Sequence, residues 1–292
     1  MKKFGLHIVL LLGLVVLLFM LCDASYSLVY RKCQPRNKLE YILQLQDKHF
    51  DVVFIGSSRV ANHIDSQLFS KLSGKKTINL GVEGAGLNDN LLQLQLLLEH
   101  NTISQVYLQV DTNLESTAAS NIATAEAMPF IQNEIVRRHT EKYNSNYQAL
   151  YHIPFYRYAI NDSKIGFREL FFSMVNKKPG TNPSIGFIPK SGNTIPNEAR
   201  SSMDCKGLVV KNAILSQIRT LCQQHHTELV LFITPYCSKI DAKHYVDKIR
   251  TMEPDLIDLT EGYADSLFYN CGHLNDKGAR ILTQRLFEVS KK

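Results

Sequence analysis

Chemistry-bearing residues gather where apolar runs give way to glycine and polar side chains. Gly56-Ser57-Ser58-Arg59 follows one run, Asn79-Leu80-Gly81-Val82-Glu83-Gly84 a second, and Asp111-Thr112-Asn113 a third. Near the C-terminus comes Asn270-Cys271-Gly272-His273-Leu274-Asn275, then Lys277-Gly278-Ala279. A hydroxyl on a turn between strand and helix is exposed, and the helix N-terminus behind it favours developing negative charge, which suits Ser58 to nucleophilic attack. The alternative is an ordinary turn with Ser58 as helix N-cap; Ser57 is the second choice of nucleophile. His273 is one of ten histidines, so its type alone says little, although Gly272 leaves space around it. His225 and His226 read as complements to a helix C-terminus, and His63, His100, His139, His152 and His244 as surface or packing residues. Arg59 either binds an anionic substrate group or pairs with Glu83.

These groups are useful only if the chain brings them together, and its pattern supplies a means. Asp51–Ile55, Thr77–Leu80, Gln105–Val110, Glu228–Thr234 and Leu256–Leu259 read as strands. Helical spacing covers Ala61–Leu72, Leu87–Glu99, Cys205–His226 with Asp204 as N-cap, Asp241–Met252 and Asn275–Val289. Strands alternating with helices predict an α/β fold, a parallel sheet covered on both faces. Ligands of such sheets bind at the carboxyl ends of the strands, where all four polar clusters fall. From about Ser116 to Arg200 the pattern weakens. Pro129, Pro154, Pro179, Pro183, Pro189 and Pro196 punctuate an Asn-, Ser- and Tyr-rich stretch. It reads as an insertion with short helices of its own, Glu126–Arg138 and Ile165–Val175 being the candidates. Its Arg137, Arg138, Arg157, Arg168, Lys177 and Lys178 suit either a glycan-binding surface or an ordinary solvated one.

The N-terminus carries a separate signal. Ile8–Cys22 holds no charge, and with Phe4–His7 it reaches the roughly twenty residues that cross a bilayer as a helix. Lys2 and Lys3 precede it and Asp23 follows, which puts the N-terminus in the cytoplasm and the body outside. An uncleaved anchor over residues 1–24 is the reading adopted; a cleaved signal peptide is the competitor, and Cys22-Asp23-Ala24 only loosely resembles a cleavage site. A polar juxtamembrane linker, helical over Arg31–Gln46, occupies 25–48, and the main domain 49–292, with its insertion at 116–200. Across 292 residues, 45% are apolar and 21% charged, which supports a sizeable core and excludes global disorder. The net charge of +6 is too small to argue for nucleic acid. Six cysteines without a CxxC pair suggest neither zinc nor a disulfide scaffold. Cys237 and Cys271 lie where a bridge would brace the C-terminal loop; two buried thiols are the alternative.

The ordered set Gly56-Ser57-Ser58-Arg59, Asn79 to Gly84, Asn113 and Asn270 to His273, spread over most of residues 50–290, resembles the SGNH hydrolase superfamily of GDSL-like esterases and acyltransferases. The GSSR form, the anchor and the HLN-x-x-GA tail look closest to its extracytoplasmic branch, which includes the D-alanine transfer protein of teichoic acid modification and alginate-type acetyl-transfer proteins. The resemblance implies a three-layer α/β/α fold with a five-stranded, flavodoxin-like parallel sheet. It implies Ser58 as nucleophile, His273 as base, and an oxyanion hole made of the Ser58 and Gly84 backbone amides and the Asn113 side chain. Such donors each lower the barrier by roughly 3 kcal/mol. Gly84 is preferred to Gly81, which more simply ends a strand.

The main departure is Asn270, where the family has the Asp that orients the imidazole. An uncompensated Asn there lowers rates by roughly four orders of magnitude. Asn270 is expected to orient the ring through its carbonyl oxygen, or Asp265 or Asp258 to supply the carboxylate; the remaining reading is a weak enzyme or pseudoenzyme. The expected activity is O-acyl transfer or ester hydrolysis on a cell-surface glycan or acylated carbohydrate, without metal or organic cofactor. A membrane-bound O-acyltransferase is the implied partner. The alternative is a non-catalytic glycan-binding or scaffold subunit.

Overall fold

The computed structural model describes residues 2–115, 119–195, 199–208 and 211–291. Ser116 at the edge of the expected insertion, Pro196, and the 209–210 stretch of the expected Cys205–His226 helix lie outside them. Five parallel strands form the central sheet: β1 His49–Ile55, β2 Thr77–Asn79, β3 Thr102–Gln109, β4 Glu228–Ile233 and β5 Ile257–Asp258. Their order is β2-β1-β3-β4-β5, with Val53 paired to Ile78 on one side and to Val106 on the other. The chain therefore leaves β1 in one direction and returns to its other flank, so the carboxyl ends of β1 and β3 border the topological switch point.

Alternation along the strands sends side chains to two separate cores. Val53, Ile55, Val106 and Leu108 join one; Val52, Phe54, Tyr107 and Phe232 join the other. On the first side pack α5 (Leu87–His100), α12 (Ala213–Gln224) and α13 (Lys243–Met252); on the second, α3 (Ser58–His63), α4 (Ser66–Ser73) and α14 (Asp276–Val289). Each large apolar side chain buried this way, such as Phe54 or Phe232, contributes about 2–3 kcal/mol.

The helix expected over Ala61–Leu72 is two helices, because Asp65 breaks the run and caps the second by accepting from the Leu68 N–H. The helix expected from Cys205 starts at Ala213: Asn212 is its N-cap, while Asp204 accepts from the Lys206 N–H in a turn and pairs with the Lys206 ammonium. The insertion is helical, with α6 Asn121–Ala127, α7 Glu134–Tyr143, α8 Tyr147–His152, α9 Tyr156–Ala159, α10 Asp162–Ile165 and α11 Phe167–Met174. Pro129, in a short turn Met128–Phe130, splits the helix expected over Glu126–Arg138. Its apolar residues Met128, Ile131, Leu150, Tyr158 and Ile165 extend the first core rather than making one of their own.

The N-terminal helix α1 spans Lys2–Lys32, and within Lys3–Lys32 an 18-residue stretch reaches a mean hydropathy of 2.8, so the helix is long and apolar enough to cross a membrane. It outruns the expected anchor because Ser27 and Tyr30 are buried against the insertion. The linker expected to be one helix over Arg31–Gln46 is broken; α2 covers Lys38–Gln44, with Asn37 as its cap.

Candidate active site

Gly56 and Gln109 build the turn after β1. A Cβ on Gly56, at φ +154°, would stand 2.5 Å from Val60 Cγ2 and 2.8 Å from Gln109 Cβ, so only glycine lets the chain turn so tightly into α3. Gln109, the last residue of β3, accepts from both the Ser57 N–H (3.2 Å) and the Ser57 hydroxyl (2.9 Å). Ser57 in turn caps α3 by accepting from the Arg59 N–H. The N-cap is thus Ser57 rather than Ser58, and the second-choice nucleophile has its hydroxyl committed. Ser58 occupies the first helical position, with its side chain free to face outward.

Outward, it meets the C-terminal loop. Ser58 Oγ lies 2.9 Å from His273 Nε2, joining residues separated by 215 positions. His273 Nδ1 lies 3.0 Å from Asn270 Oδ1, which also accepts from the Gly272 N–H at 3.0 Å. The Gly272 donor fixes which end of the amide faces the ring: an oxygen. Nδ1 must then carry the proton, leaving the Nε2 lone pair to accept from Ser58. Burial, followed by the nearby Arg59 charge, holds the His273 pKa below the ordinary 6.5, so the ring is neutral at pH 7, the form a general base needs.

The loop is fastened from three sides. Phe268–Asn270 (β6) and His273–Leu274 (β7) form a small antiparallel hairpin. Cys237, just beyond β4, is bonded to Cys271, and the Cys237 N–H also donates to the Cys271 carbonyl at 3.2 Å. Between the bridge and the two thiols left open by the sequence, the structure has the bridge. Third, His63 at the end of α3 accepts the Leu274 N–H on Nε2 at 3.0 Å. Burial and the neighbouring Arg59 charge hold the His63 pKa well below 6.5. His63 does pack, as expected, but it also fixes the backbone beside His273.

The other expected groups fare unevenly. Gly84 lines the same cleft as Ser58 and His273 and has φ +69°, a left-handed conformation that glycine adopts freely. Asn113 lines it too, but its Nδ2 donates to the Gln109 carbonyl (2.9 Å) and its Oδ1 accepts from the Asp111 N–H (3.0 Å), so the amide closes the loop after β3. Asp265 is not beside His273: its carboxylate accepts from the Ser238 N–H (2.8 Å) and hydroxyl (2.6 Å), which draws it to the surface. Asp258 accepts from Thr260, also away from the ring. Of the three residues considered for orienting the imidazole, Asn270 is the one in place.

Arg59 pairs with Asp111 at 3.1 Å rather than with Glu83. It also donates to the carbonyls of Thr234 and Pro235, with its guanidinium 3.7 Å from the Tyr236 ring centroid. Groups near the ends of β1, β3 and β4 are thereby tied together at the cleft, which Arg59 also lines. Among the insertion's cations, Arg137 and Arg138 pair with Glu134 and Arg168 with Glu169, all close in sequence, whereas Arg157 reaches Asp23 on α1. Gln109, His63 and Tyr236 were not singled out as site residues. The one hint was Gln109, a polar residue inside an otherwise apolar strand.

The cleft holds about 500 Å³ and is open to solvent. Among the described residues, no three His, Cys, Asp or Glu side chains gather as a metal site. The arrangement can attack an electrophilic carbon with a hydroxyl while a neutral imidazole takes the proton. No family model matches the chain, and no curated protein matches it in sequence.

Proposed function

We propose that this chain is a membrane-anchored, extracytoplasmic SGNH-like O-acyltransferase or esterase of cell-surface polysaccharide, acetyl being the expected acyl group. The observation that carries the reading is the Ser58–His273–Asn270 relay, with hydrogen-bond distances of 2.9 Å and 3.0 Å. The strand order supports a flavodoxin-like, three-layer architecture with the relay at its switch point. Lys2 and Lys3 before the apolar helix support an outward-facing domain, as does the Cys237–Cys271 bridge, which suits an oxidising compartment.

In this mechanism Ser58 Oγ attacks the ester carbonyl as its proton passes to His273 Nε2. The Ser58 and Gly84 amides donate to the oxyanion. His273 then gives the proton to the departing alkoxide, leaving an acyl-Ser58 ester. Water or a sugar hydroxyl, deprotonated by the same nitrogen, attacks this ester and regenerates Ser58. An open cleft admits a polymer chain. A membrane-bound O-acyltransferase is the proposed source of acyl groups.

Fluorophosphonate labelling of the full chain tests the proposal. Wild type is expected to label at Ser58, and Ser58→Ala and His273→Ala to lose the label; an unlabelled wild type overturns it. Acetyl-ester turnover with and without oligosaccharide, followed by mass spectrometry, separates transferase from esterase. The competing reading, a non-catalytic glycan-binding or scaffold subunit, is favoured by the neutral Asn270 and by the committed Asn113 amide. It predicts ester turnover that Ser58→Ala leaves unchanged.

A further inference from the structure

The insertion reaches back along α1, past the point where the apolar run ends. Phe4–Cys22 spans about 28 Å as a helix, close to the roughly 30 Å hydrocarbon core of a bilayer. Asp23 is the first charge after it. The Asp23 carboxylate accepts from the Phe155 N–H at 2.9 Å and pairs with Arg157 at 2.6 Å, and Arg157 also donates to Ser27 at 3.1 Å. Phe155, between α8 and α9, has φ +65°, a strained conformation for an aromatic residue that the Asp23 hydrogen bond helps to hold. Its ring stacks on Phe19 at 6.4 Å and meets the edge of Tyr26 at 5.0 Å. Phe19 lies four residues, about 6 Å of helix rise, to the membrane side of Asp23.

We propose that the corner from Ile153 to Ile160 is a second membrane contact, seated in the leaflet from which α1 emerges. This rests on the reading of α1 as an anchor. The Phe155 ring touches a side chain inside the lipid-spanning stretch, and Ile153 and Ile160 flank it with 51% and 49% of their surfaces exposed. The corner Ile-Pro-Phe-Tyr-Arg-Tyr-Ala-Ile contains no acidic residue, and its one arginine is buried against Asp23. Exposed apolar side chains continuous with a lipid-immersed helix surface meet lipid. Tyr156, half-buried beside Phe155, adds the aromatic character found at membrane interfaces. The anchor and this corner, locked by the Asp23–Arg157 pair, hold the domain at one height and tilt above the bilayer.

The chain has no tryptophan, so a single introduced one is its only indole reporter. Full-length Ile153→Trp, Ile160→Trp, Leu11→Trp and Val289→Trp variants are placed in liposomes made of lipid alone, with bromines at shallow or deep acyl positions. Val289 lies on α14, which packs on α3 and α4. The proposal expects shallow bromines to quench the Ile153→Trp and Ile160→Trp variants, deep bromines to quench Leu11→Trp, and neither to quench Val289→Trp. Quenching of Leu11→Trp without quenching at 153 and 160 overturns the second contact and leaves the anchor standing. An unquenched Leu11→Trp overturns both. Emission from 153 and 160 that is blue-shifted yet unquenched means that another copy of the protein covers the corner, and quenching of Val289→Trp equal to theirs means that the contact is not specific to the corner; either overturns the proposal.

Discussion

A base oriented by an amide oxygen behaves differently from one oriented by a carboxylate. Asn270 fixes the tautomer of His273 but adds no negative charge to steady the imidazolium that forms when Ser58 gives up its proton. Asn270→Asp is therefore expected to raise the His273 pKa and the acylation rate together, read by NMR titration of the ring and by burst kinetics with an activated ester. The pH profile follows from the same ring. Its pKa lies below 6.5 in the folded protein because burial and Arg59 disfavour the charged form. The reactive neutral form therefore persists as the pH falls through 6.5, and is lost only on reaching the lower, folded value. kcat/KM should hold its plateau below pH 6.5 before its acid limb begins; an acid limb centred at or above 6.5 contradicts the assignment. His273→Ala should lower turnover by about 10²–10⁴-fold, measured with the same ester.

At the scale of elements, α3 and the C-terminal loop are one device. His63 accepts the Leu274 N–H as a neutral ring, and its folded pKa is far below its ordinary 6.5. The unfolded chain therefore binds the proton first, and stability should decline as the pH drops through 6.5 and continue to decline below it. His63→Gln, which keeps an acceptor but cannot be protonated, should flatten that decline in urea melts at pH 7.5 and pH 5. On the other side of the turn, Gly56→Ala should destabilise by about 1–3 kcal/mol, because Val60 and Gln109 must shift to admit a methyl group. A thermal melt reads that loss, and slower fluorophosphonate labelling of Ser58 should accompany it. The strands and their polar ends were legible in the sequence because buried parallel strands are short apolar runs with abrupt stops. The ends of the helices were less so: Asp65 and Pro129 break periodic stretches by local chemistry that an apolar count passes over. The direction of a polar side chain was the least legible: Asp265 and Arg59 turn toward partners that only the folded chain brings near, and the Asn113 amide closes on the backbone of its own loop.

Across the whole molecule, the site depends on covalent as well as packed structure. The Cys237–Cys271 bond closes a loop with a sequence separation of 34, and in the chain-entropy account a closure of that size is worth about 4 kcal/mol. It joins the end of β4 to the segment between Asn270 and His273, the two residues whose hydrogen bond sets the tautomer. Cys271→Ser should therefore lower the melting temperature and slow Ser58 labelling together, and dithiothreitol should do the same to wild type while leaving the variant unchanged. Cys33, Cys205 and Cys222 remain as thiols outside the apolar run, so a maturing chain has alternative pairings to avoid. A newly synthesised polypeptide that has not yet met an oxidant would carry a slack, poorly aimed imidazole. Under the proposed function, such a chain would spare the acyl esters of its own cell interior, and competence would arrive only with delivery to a compartment where that sulfur–sulfur link can form.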